Sequence, residues 1–322
     1  MKVLIPLAAL AGIFFVSYSN QKTGFPPEEV NTPVELGAKL FFDKILSLDE
    51  SISCASCHNP KFAFADSTAL SEGVGDSLGT RNAPGVMNMA ARPYFFYDGR
   101  AASLEEQALG PITNPVEMHL SYGEAIHRVQ NKEEYQKLFL KVLGELPDSA
   151  NILHVIAEFE RSLESDGSSP FDRWMAGDED AMTESQKRGH AIFLEKGKCF
   201  ECHFSPDFTG DEFRNIGLYD GVNLTDKGRF DVTKDSSDLG KFKVPGLRNV
   251  ALTGPYMHDG RFKTLREVID FYDDFRPFVQ NPINIDTLMI APLHLTEQEK
   301  IDLEHFLISL TDEKIPYQEV DF

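Results

Sequence analysis

Cys54-Ala55-Ser56-Cys57-His58 and Cys199-Phe200-Glu201-Cys202-His203 decide the fold of this 322-residue chain, and together they contain all four of its cysteines. Cys-x-x-Cys-His is the attachment motif of c-type haem. Each pair of thiols can form thioethers to two haem vinyl groups, and the histidine that follows can ligate the iron. The sequence therefore predicts two covalently bound haem c groups, anchored by Cys54, Cys57, Cys199 and Cys202, with His58 and His203 as iron ligands.

Other uses of Cys-x-x-Cys explain the pattern less well. A structural zinc site brings its cysteine pairs from one short segment, whereas these pairs lie in opposite halves of the chain. A thioredoxin-like redox site needs one pair in a βαβ context, and no such context is evident. Disulfides would leave the histidine after each second cysteine unexplained.

The N-terminus predicts export. Residues 1–20 carry one lysine, an apolar run over 3–16 and small polar residues over 17–19. This profile is typical of a cleaved signal peptide, and an uncleaved N-terminal anchor is the alternative. Because c-type haem is attached outside the cytoplasm, the motifs and the N-terminus independently favour a periplasmic protein. A net charge of -20 excludes nucleic acid as a natural partner.

Helix signals dominate the rest of the chain, and alternating strand patterns are scarce. Helical periodicity runs over 132–143, where Gly144 ends it, and over 150–163. Five segments begin with the capping-box pattern, at Thr32, Ser103, Thr183, Thr264 and Thr296. We therefore expect a mainly α protein with long loops wrapped around the haems.

An internal repeat divides the chain in two. A helix, the haem motif, an Arg-Asn pair and an Asp-Gly-Arg segment occur in the same order in both halves. We expect two related cytochrome c-like haem domains over 21–165 and 183–322, joined by a linker over 166–182 that is rich in small and turn-forming residues. Arg100 and Arg261 of the Asp-Gly-Arg segments are candidate contacts for the haem propionates, and ordinary ion pairs are the alternative.

Longer stretches around these motifs carry a family resemblance. Over roughly residues 33–310 the chain resembles the bacterial di-haem cytochrome c peroxidases, including their MauG-like branch. The most specific stretches are Ile52-Ser53-Cys54, Asp98-Gly99-Arg100-Ala101-Ala102-Ser103-Leu104-Glu105-Glu106-Gln107, Pro115-Val116-Glu117-Met118 and Val244-Pro245-Gly246-Leu247-Arg248-Asn249. The resemblance implies that the N-terminal haem reacts with hydrogen peroxide. The C-terminal haem then receives electrons from a small donor protein, either a cytochrome c or a cupredoxin.

The resemblance also implies site residues. Glu117 matches the carboxylate above the peroxidatic haem, where it can shuttle a proton between the two peroxide oxygens. Gln107 matches a second polar residue on that side, and Pro111 lies on the same segment. One calcium ion is expected between the haems, held by the Asn82 side chain and by backbone carbonyls and water. The carbonyls are those of Thr253 and Pro255.

Three positions depart from the peroxidase pattern. Val74 stands where many members have a histidine that blocks the first haem, so we expect that haem to be open, unless His119 or His127 substitutes. Tyr272 stands where peroxidases have a methionine that ligates the second iron. Tyr272 ligation is typical of the MauG-like branch, and the alternatives are Met257 and Met289.

The third departure is Tyr97, which occupies the place of a tryptophan between the haems, while the chain's only tryptophan is Trp174. We expect Tyr97 to relay electrons with loss of its phenolic proton. The leading prediction is a peroxidase that reduces hydrogen peroxide to water. The alternatives are a MauG-like enzyme that oxidises residues of a partner protein, and a non-enzymatic electron carrier or redox sensor. The oligomeric state stays open, a homodimer included.

Overall fold

The computed structural model describes residues 29–319, and this part of the chain is mainly helical, as predicted. The helices are α1 Pro33–Phe42, α2 Cys54–Cys57, α3 Leu104–Thr113, α4 Tyr122–Asn131, α5 Glu133–Leu143, α6 Ser149–Ser162, α7 Pro170–Met175, α8 Glu184–Leu194, α9 Phe230–Thr233, α10 Leu265–Asp273 and α11 Glu297–Ile308. Two short strands pair antiparallel, β1 Phe213–Arg214 and β2 Phe242–Lys243. The signal peptide or anchor predicted for 1–20 lies outside the described residues.

The predicted helix starts are confirmed. Thr32, Thr183, Thr264 and Thr296 each form a complete capping box, which satisfies backbone N–H groups that the first turn leaves unpaired. Ser103 caps α3 through the Glu106 amide, but the Glu106 carboxylate accepts from the Ala102 amide instead of closing the box. Gly144 ends α5 in the left-handed conformation, which glycine adopts without steric cost.

Two helix pairs, α1 with α6 and α8 with α11, pack closely at a glycine. A Cβ atom on Gly37 would lie 1.8 Å from the carbonyl oxygen of Val155, and one on Gly189 would lie 1.9 Å from that of Asp302. In both pairs the glycine-bearing helix immediately precedes a haem motif in the sequence. The backbones can approach this closely only because neither glycine carries a side chain.

We expect Gly189→Ala to lower the free energy of unfolding by about 2 kcal/mol, because the new methyl group overpacks backbone that cannot yield easily. Denaturant unfolding of the holoprotein measures this loss. Gly123→Ala in α4 is the matched control, since nothing lies within 4 Å of the added Cβ atom. A stability loss in Gly189→Ala no larger than in Gly123→Ala would contradict the close-packing role.

Two main apolar clusters occupy the two halves of the fold. The first lies among α1, α3, α4, α5 and α6, and the second lies among α7, α8, α10 and α11. The predicted linker over 166–182 includes α7, whose Phe171 is buried in the second cluster. The C-terminal segment returns to the first half, where Ile315 is buried and Tyr317 packs against Phe42 and Phe159.

Partly buried ion pairs tie the two halves together. The Arg81 guanidinium bonds to Asp98 of the first half and to Asp226 of the second, each at 2.7 Å. Arg92 of the first half pairs with Asp207 and Asp211, which both belong to the second half. Within residues 29–319, no helix is long and apolar enough to cross a membrane.

Candidate active site

A cavity of about 760 Å³ lies between the two halves, and both haem motifs line it. Its wall includes Cys54, Cys57 and His58 at one end and Cys199, Cys202 and His203 at the other. The sequence motifs are therefore brought to a single internal space rather than to separate surfaces. Cavities of this kind, mostly apolar with a few polar groups, are where proteins hold cofactors.

The four thiols fit thioether attachment. None of them is in a disulfide. Burial raises the pKa of Cys57 to about 11, that of Cys199 to about 12 and that of Cys202 to about 11, and it raises the pKa of Cys54 further. These thiols are thus neutral at physiological pH in the absence of a cofactor.

Each motif histidine has one ring nitrogen bound to a backbone carbonyl oxygen, which suits the ligand role predicted for it. His58 Nδ1 bonds to the Phe64 carbonyl oxygen at 3.2 Å, and His203 Nδ1 bonds to the Phe208 carbonyl oxygen at 2.8 Å. This partner fixes the ring and leaves Nε2 for a metal, a common arrangement for ligating histidines. Burial lowers the pKa of both imidazoles, so each is neutral and able to donate its lone pair.

Cationic side chains on the wall fit the anionic haem propionates. Arg92 is nearly buried and its Nε has no hydrogen-bond partner, while Lys243 forms no ion pair within residues 29–319. Arg100 also lines the cavity, where it pairs with Asp98. Arg261 pairs with Asp259 and is not on the cavity wall. The propionate roles predicted for Arg100 and Arg261 stay predictions.

A carboxylate and an amide face the N-terminal end of the cavity. Gln107 and Pro111 are four residues apart on α3, so they lie on the same helix face. Gln107 Oε1 is buried without a partner. The chain turns after α3, and Asn114 Nδ2 donates to Glu117 Oε1 at 2.6 Å. Asn114 therefore holds the Glu117 carboxylate in place above this end of the cavity.

The Glu117 carboxyl has the electrostatics of a proton shuttle. Burial raises its pKa, while the hydrogen bond from Asn114 and the charge of Arg100 oppose that rise. A carboxyl group whose pKa moves towards neutrality can both accept and return a proton. The N-terminal end of the cavity thus combines a half-buried carboxylate, Glu117, with the unpartnered amide oxygen of Gln107.

Comparison with known proteins agrees with this geometry. A family model described as di-haem cytochrome c peroxidase matches residues 31–180. The methylamine utilization protein MauG of Methylorubrum extorquens is 39% identical over 285 residues, which is 87% of this chain and 78% of that protein. The chain belongs to the di-haem cytochrome c peroxidase family.

Other relatives carry the same two names. The cytochrome c peroxidase Ccp of Escherichia coli is 42% identical over 238 residues, 72% of this chain and 51% of that protein, so this chain spans about half of its length. A solved structure described as a MauG-like protein associated with microbial copper homeostasis superposes with a TM-score of 0.81 at 33% identity. The match covers 88% of this chain and 91% of that one.

All three departures from the peroxidase pattern can be placed in the structure, beginning with Val74. The Val74 amide donates to the Glu117 carbonyl oxygen at 2.9 Å, so residue 74 adjoins the segment that carries the Glu117 carboxylate. His119 and His127 are both exposed and are absent from the cavity wall. The structure therefore places neither histidine where it could replace the blocking ligand of other di-haem peroxidases.

Tyr272 lies at the C-terminal end of the cavity. Burial and the nearby Cys202 and Cys199 thiols raise its pKa, and its hydroxyl has no hydrogen-bond partner within residues 29–319. Met257 and Met289 pack in the same apolar cluster and also line the cavity. All three candidate ligands of the second haem are thus present at one site.

Tyr97 lies on the wall of the cavity that both motifs line. Its hydroxyl donates to Asn82 Oδ1 at 3.4 Å, and burial together with Asp259 raises its pKa. Trp174 is not on this wall and packs against Phe171 and His190 in the second half. Of these two residues, only Tyr97 therefore reaches the cavity, and its relay role stays a prediction.

The residues expected to bind calcium also meet at the cavity. Asn82, Thr253 and Pro255 all line it, and Asn82 is buried. Asn82 Nδ2 donates to the Thr68 carbonyl oxygen at 3.0 Å, which leaves Oδ1 turned towards Tyr97. Residues 29–319 contain no group of three acidic, histidine or cysteine side chains arranged for a metal. A hard cation here would need carbonyl and water oxygens.

Sequence reasoning missed several groups on the cavity wall. The sequence contains a signal for Asn114, because the side chain of an asparagine directly after a helix often forms hydrogen bonds with the residues of the next turn. The sequence contains no such signal for Arg92, Lys243 or Glu160. A single charged residue in a loop or helix does not indicate whether its side chain faces a cavity or solvent. Their positions depend on how the two halves meet.

Proposed function

We propose that this chain is a di-haem c-type peroxidase that reduces hydrogen peroxide to water with two electrons from a small redox protein. The observation that carries the proposal is the Glu117 carboxylate, held by Asn114 above the end of the cavity that begins at Cys54, Cys57 and His58. The relative in Escherichia coli that is named cytochrome c peroxidase supports the same function.

The reaction consumes two protons and two electrons for each peroxide and yields two water molecules. The haem groups, when bound, would supply iron that binds an oxygen atom of the peroxide and that transfers single electrons. Glu117 accepts a proton from the peroxide oxygen that approaches the site and returns it to the oxygen that leaves. Asn114 orients Glu117, and the Gln107 amide offers a polar contact to the bound peroxide.

The residues at the two ends of the cavity differ, which supports different roles for the two haems. The N-terminal end has an acid–base group and no histidine at position 74, whereas the C-terminal end has Tyr272 and two methionines. We infer two related haem domains over 21–165 and 183–322, because α1 with α6 and α8 with α11 repeat the same glycine packing. The same proposal includes a calcium ion bound at Asn82, Thr253 and Pro255. It also includes a periplasmic location for the protein.

Peroxide turnover tests the function. Oxidised holoprotein is mixed with one equivalent of peroxide, and the haem spectrum is followed without prior reduction. We expect a rapid change, because no blocking ligand stands at position 74. Steady-state consumption of peroxide should then follow the oxidation of a reduced cytochrome c or cupredoxin. Oxidised protein that shows no reaction with peroxide would overturn the proposal.

Tyr272→Phe should change the visible and near-infrared spectrum of one haem only, because the phenolate would be lost as an iron ligand and a thioether or water would replace it. Tyr256→Phe is the matched control. Tyr256 also lines the cavity, but its hydroxyl donates to the Val250 carbonyl oxygen at 3.0 Å and so is already satisfied. An unchanged spectrum in Tyr272→Phe would mean that Met257 or Met289, and not Tyr272, ligates the iron of the second haem.

Tyr97→Phe should slow electron transfer between the haems by about tenfold, equivalent to about 1.4 kcal/mol of barrier. Oxidation of Tyr97 releases its phenolic proton to solvent, because Asn82 Oδ1, which accepts its hydrogen bond, is too weak a base to take the proton. Pulse reduction of the holoprotein measures the transfer rate. An unchanged rate in the variant would exclude the relay through Tyr97.

A MauG-like activity, in which residues of a partner protein are oxidised, is the second candidate. Tyr272 at the C-terminal end and the 39% identity to MauG favour it. Fast turnover with a small electron donor would favour the peroxidase, and retention of oxidising equivalents in the presence of that donor would favour the MauG-like enzyme. A carrier or sensor role would need peroxide reactivity to be independent of Glu117.

A further inference from the structure

One carboxyl group on the cavity wall is buried without a partner. Glu160 on α6 is 4% exposed, and its Oε2 forms no hydrogen bond within residues 29–319. Asp98 is buried to a similar degree on the same wall, but it pairs with Arg81 and Arg100. A buried polar atom without a partner costs stability, and a functional role is one reason why a protein retains such an atom.

Glu160 lies at the end of the cavity that holds the first haem motif. Burial raises the pKa of the Cys54 thiol, and the charge of the nearby Glu160 raises it further. α3 packs against α6 and brings Gln107 to the same wall, where Gln107 Oε1 also has no partner. A protonated Glu160 has an O–H group to donate, and a water molecule can connect that group to an acceptor such as Gln107 Oε1.

A charged and partly exposed cluster lies near Glu160. Glu105 of α3 accepts hydrogen bonds from Arg161 at 2.8 and 2.9 Å, and His154 Nδ1 lies 3.8 Å from the same carboxylate. All three side chains of this cluster reach solvent. The charges of Arg161 and Glu105 both act on the Glu160 carboxyl, so the cluster is close to it. Glu105 and His154 thus offer two titratable groups between solvent and Glu160.

Glu160 holds its proton with the intermediate strength that suits a proton donor. Burial raises its pKa to about 8, and the Arg161 charge opposes the rise. A donor whose pKa is close to the working pH can both release its proton and regain it. Burial raises the pKa of Tyr97 and of Tyr272, so these hydroxyls hold their protons more tightly. Burial lowers the pKa of His258, which is therefore neutral.

Peroxide reduction needs protons beyond those that Glu117 transfers. Glu117 moves a proton from one peroxide oxygen to the other, so cleavage of the O–O bond releases one water molecule without net proton uptake. The oxygen atom that remains takes up two electrons and two protons and leaves as the second water molecule. Both of these protons come from solvent and have to enter a largely enclosed cavity.

We propose that Glu160 donates the protons that convert the remaining oxygen atom to water, and that it regains them from solvent through Glu105 and His154. The proposal rests on the proposed function and adds a residue for its second step. In each transfer the Glu160 O–H bond breaks, an O–H bond forms at the remaining oxygen by way of water, and a proton from solvent restores the carboxyl group. Two transfers accompany the two electrons that the donor protein supplies.

A double-mixing stopped-flow experiment with Glu160→Gln tests the proposal. Oxidised holoprotein is mixed with one equivalent of peroxide and then with excess reduced monohaem cytochrome c, in weak buffer with a pH-indicator dye. We expect a wild-type rate for the reaction with peroxide, whereas proton uptake and recovery of the haem spectrum should slow by about tenfold or more. Glu160→Asp keeps a carboxyl group and should restore part of this rate.

Glu133→Gln is the matched control, because Glu133 on α5 is 78% exposed and pairs only with Lys137 among the described residues. It should behave like the wild type in both phases. Equal slowing of both phases in Glu160→Gln, or a second phase at the wild-type rate, would overturn the role of Glu160. A wild-type protein that does not react with peroxide would overturn the peroxidase function instead.

Infrared spectroscopy of the oxidised holoprotein tests Glu160 without peroxide. The C=O stretch of a protonated carboxyl group shifts when H₂O is replaced by D₂O, and the difference between wild type and Glu160→Gln isolates the band of this residue. We expect the band near neutral pH in the wild type and in Glu133→Gln. A wild-type spectrum without it would show that Glu160 is ionised and would overturn the proposal, whatever the activity with peroxide.

Discussion

Glu117→Gln is expected to slow the reaction of oxidised protein with hydrogen peroxide by about 10²- to 10⁴-fold, the usual contribution of a positioned acid–base group. Glutamine keeps the size of the side chain and an oxygen that can accept the Asn114 hydrogen bond. It cannot take a proton from peroxide. Stopped-flow spectroscopy of the haem bands, over a range of peroxide concentrations, measures the second-order rate constant.

The pH dependence of that rate makes the test specific. Because Glu117 must be ionised to accept a proton, the wild-type rate should fall as the pH falls through its raised pKa. The Glu117→Gln rate should be flat over the same range. Glu124→Gln, on the exposed side of α4, is the matched control and should behave like the wild type. A Glu117→Gln rate close to wild type would instead favour a carrier or sensor.

Glu160→Gln is expected to stabilise the protein by about 4 kcal/mol near pH 8 and to have little effect near pH 4.5. Glu160 on α6 is 4% exposed, it lines the cavity, and its Oε2 has no hydrogen-bond partner. Burial raises the pKa of this carboxyl from 4.5 to about 8, with the nearby Arg161 opposing the rise.

The sign of the effect follows from proton binding. Between pH 4.5 and 8 the folded protein keeps the Glu160 proton, whereas the unfolded chain releases it. The free energy of unfolding therefore falls as the pH rises through this window, by up to about 1.4 kcal/mol per pH unit from this group. Above the folded-state pKa both states are ionised and the penalty is constant. Glutamine has no proton to release, so the variant loses this slope.

Guanidinium unfolding of the holoprotein at several pH values between 4.5 and 8 measures the difference between variant and wild type. Glu158→Gln is the control. Glu158 lies on the same helix, pairs with Arg161 at 2.8 Å and is partly exposed. That control should leave the pH slope unchanged. Parallel curves for wild type and Glu160→Gln would mean that Glu160 is ionised in the folded protein.

Local signals in the sequence predicted most of the helices. Thr32, Thr183, Thr264 and Thr296 begin helices because a capping box is satisfied within four residues, and Gly144 ends one for an equally local reason. The haem motifs are also local, because attachment and ligation need only five consecutive residues. Such features depend little on the rest of the fold, and this explains why the sequence predicts them well.

Features that depend on tertiary packing were harder to predict. The place of Glu160 on the cavity wall depends on how α6 crosses α1, and that crossing depends on Gly37. Arg92 reaches the cavity only because the second half supplies Asp207 and Asp211 as partners. The repeated motif predicts a propionate contact for both Arg100 and Arg261, and it does not indicate that Arg100 lines the cavity while Arg261 does not. The repeat predicts backbone order more reliably than side-chain direction.

The return of the C-terminal segment to the first half has a consequence for biosynthesis. Ile315 and Tyr317 complete an apolar cluster that also contains Phe42 and Phe159. These residues follow the second haem motif in the sequence, whereas the cluster contains Ala55 of the first haem motif. The first half therefore cannot complete its core until the chain beyond the second haem motif has been synthesised. A first half produced alone would lack the side of this cluster that Ile315 and Tyr317 form.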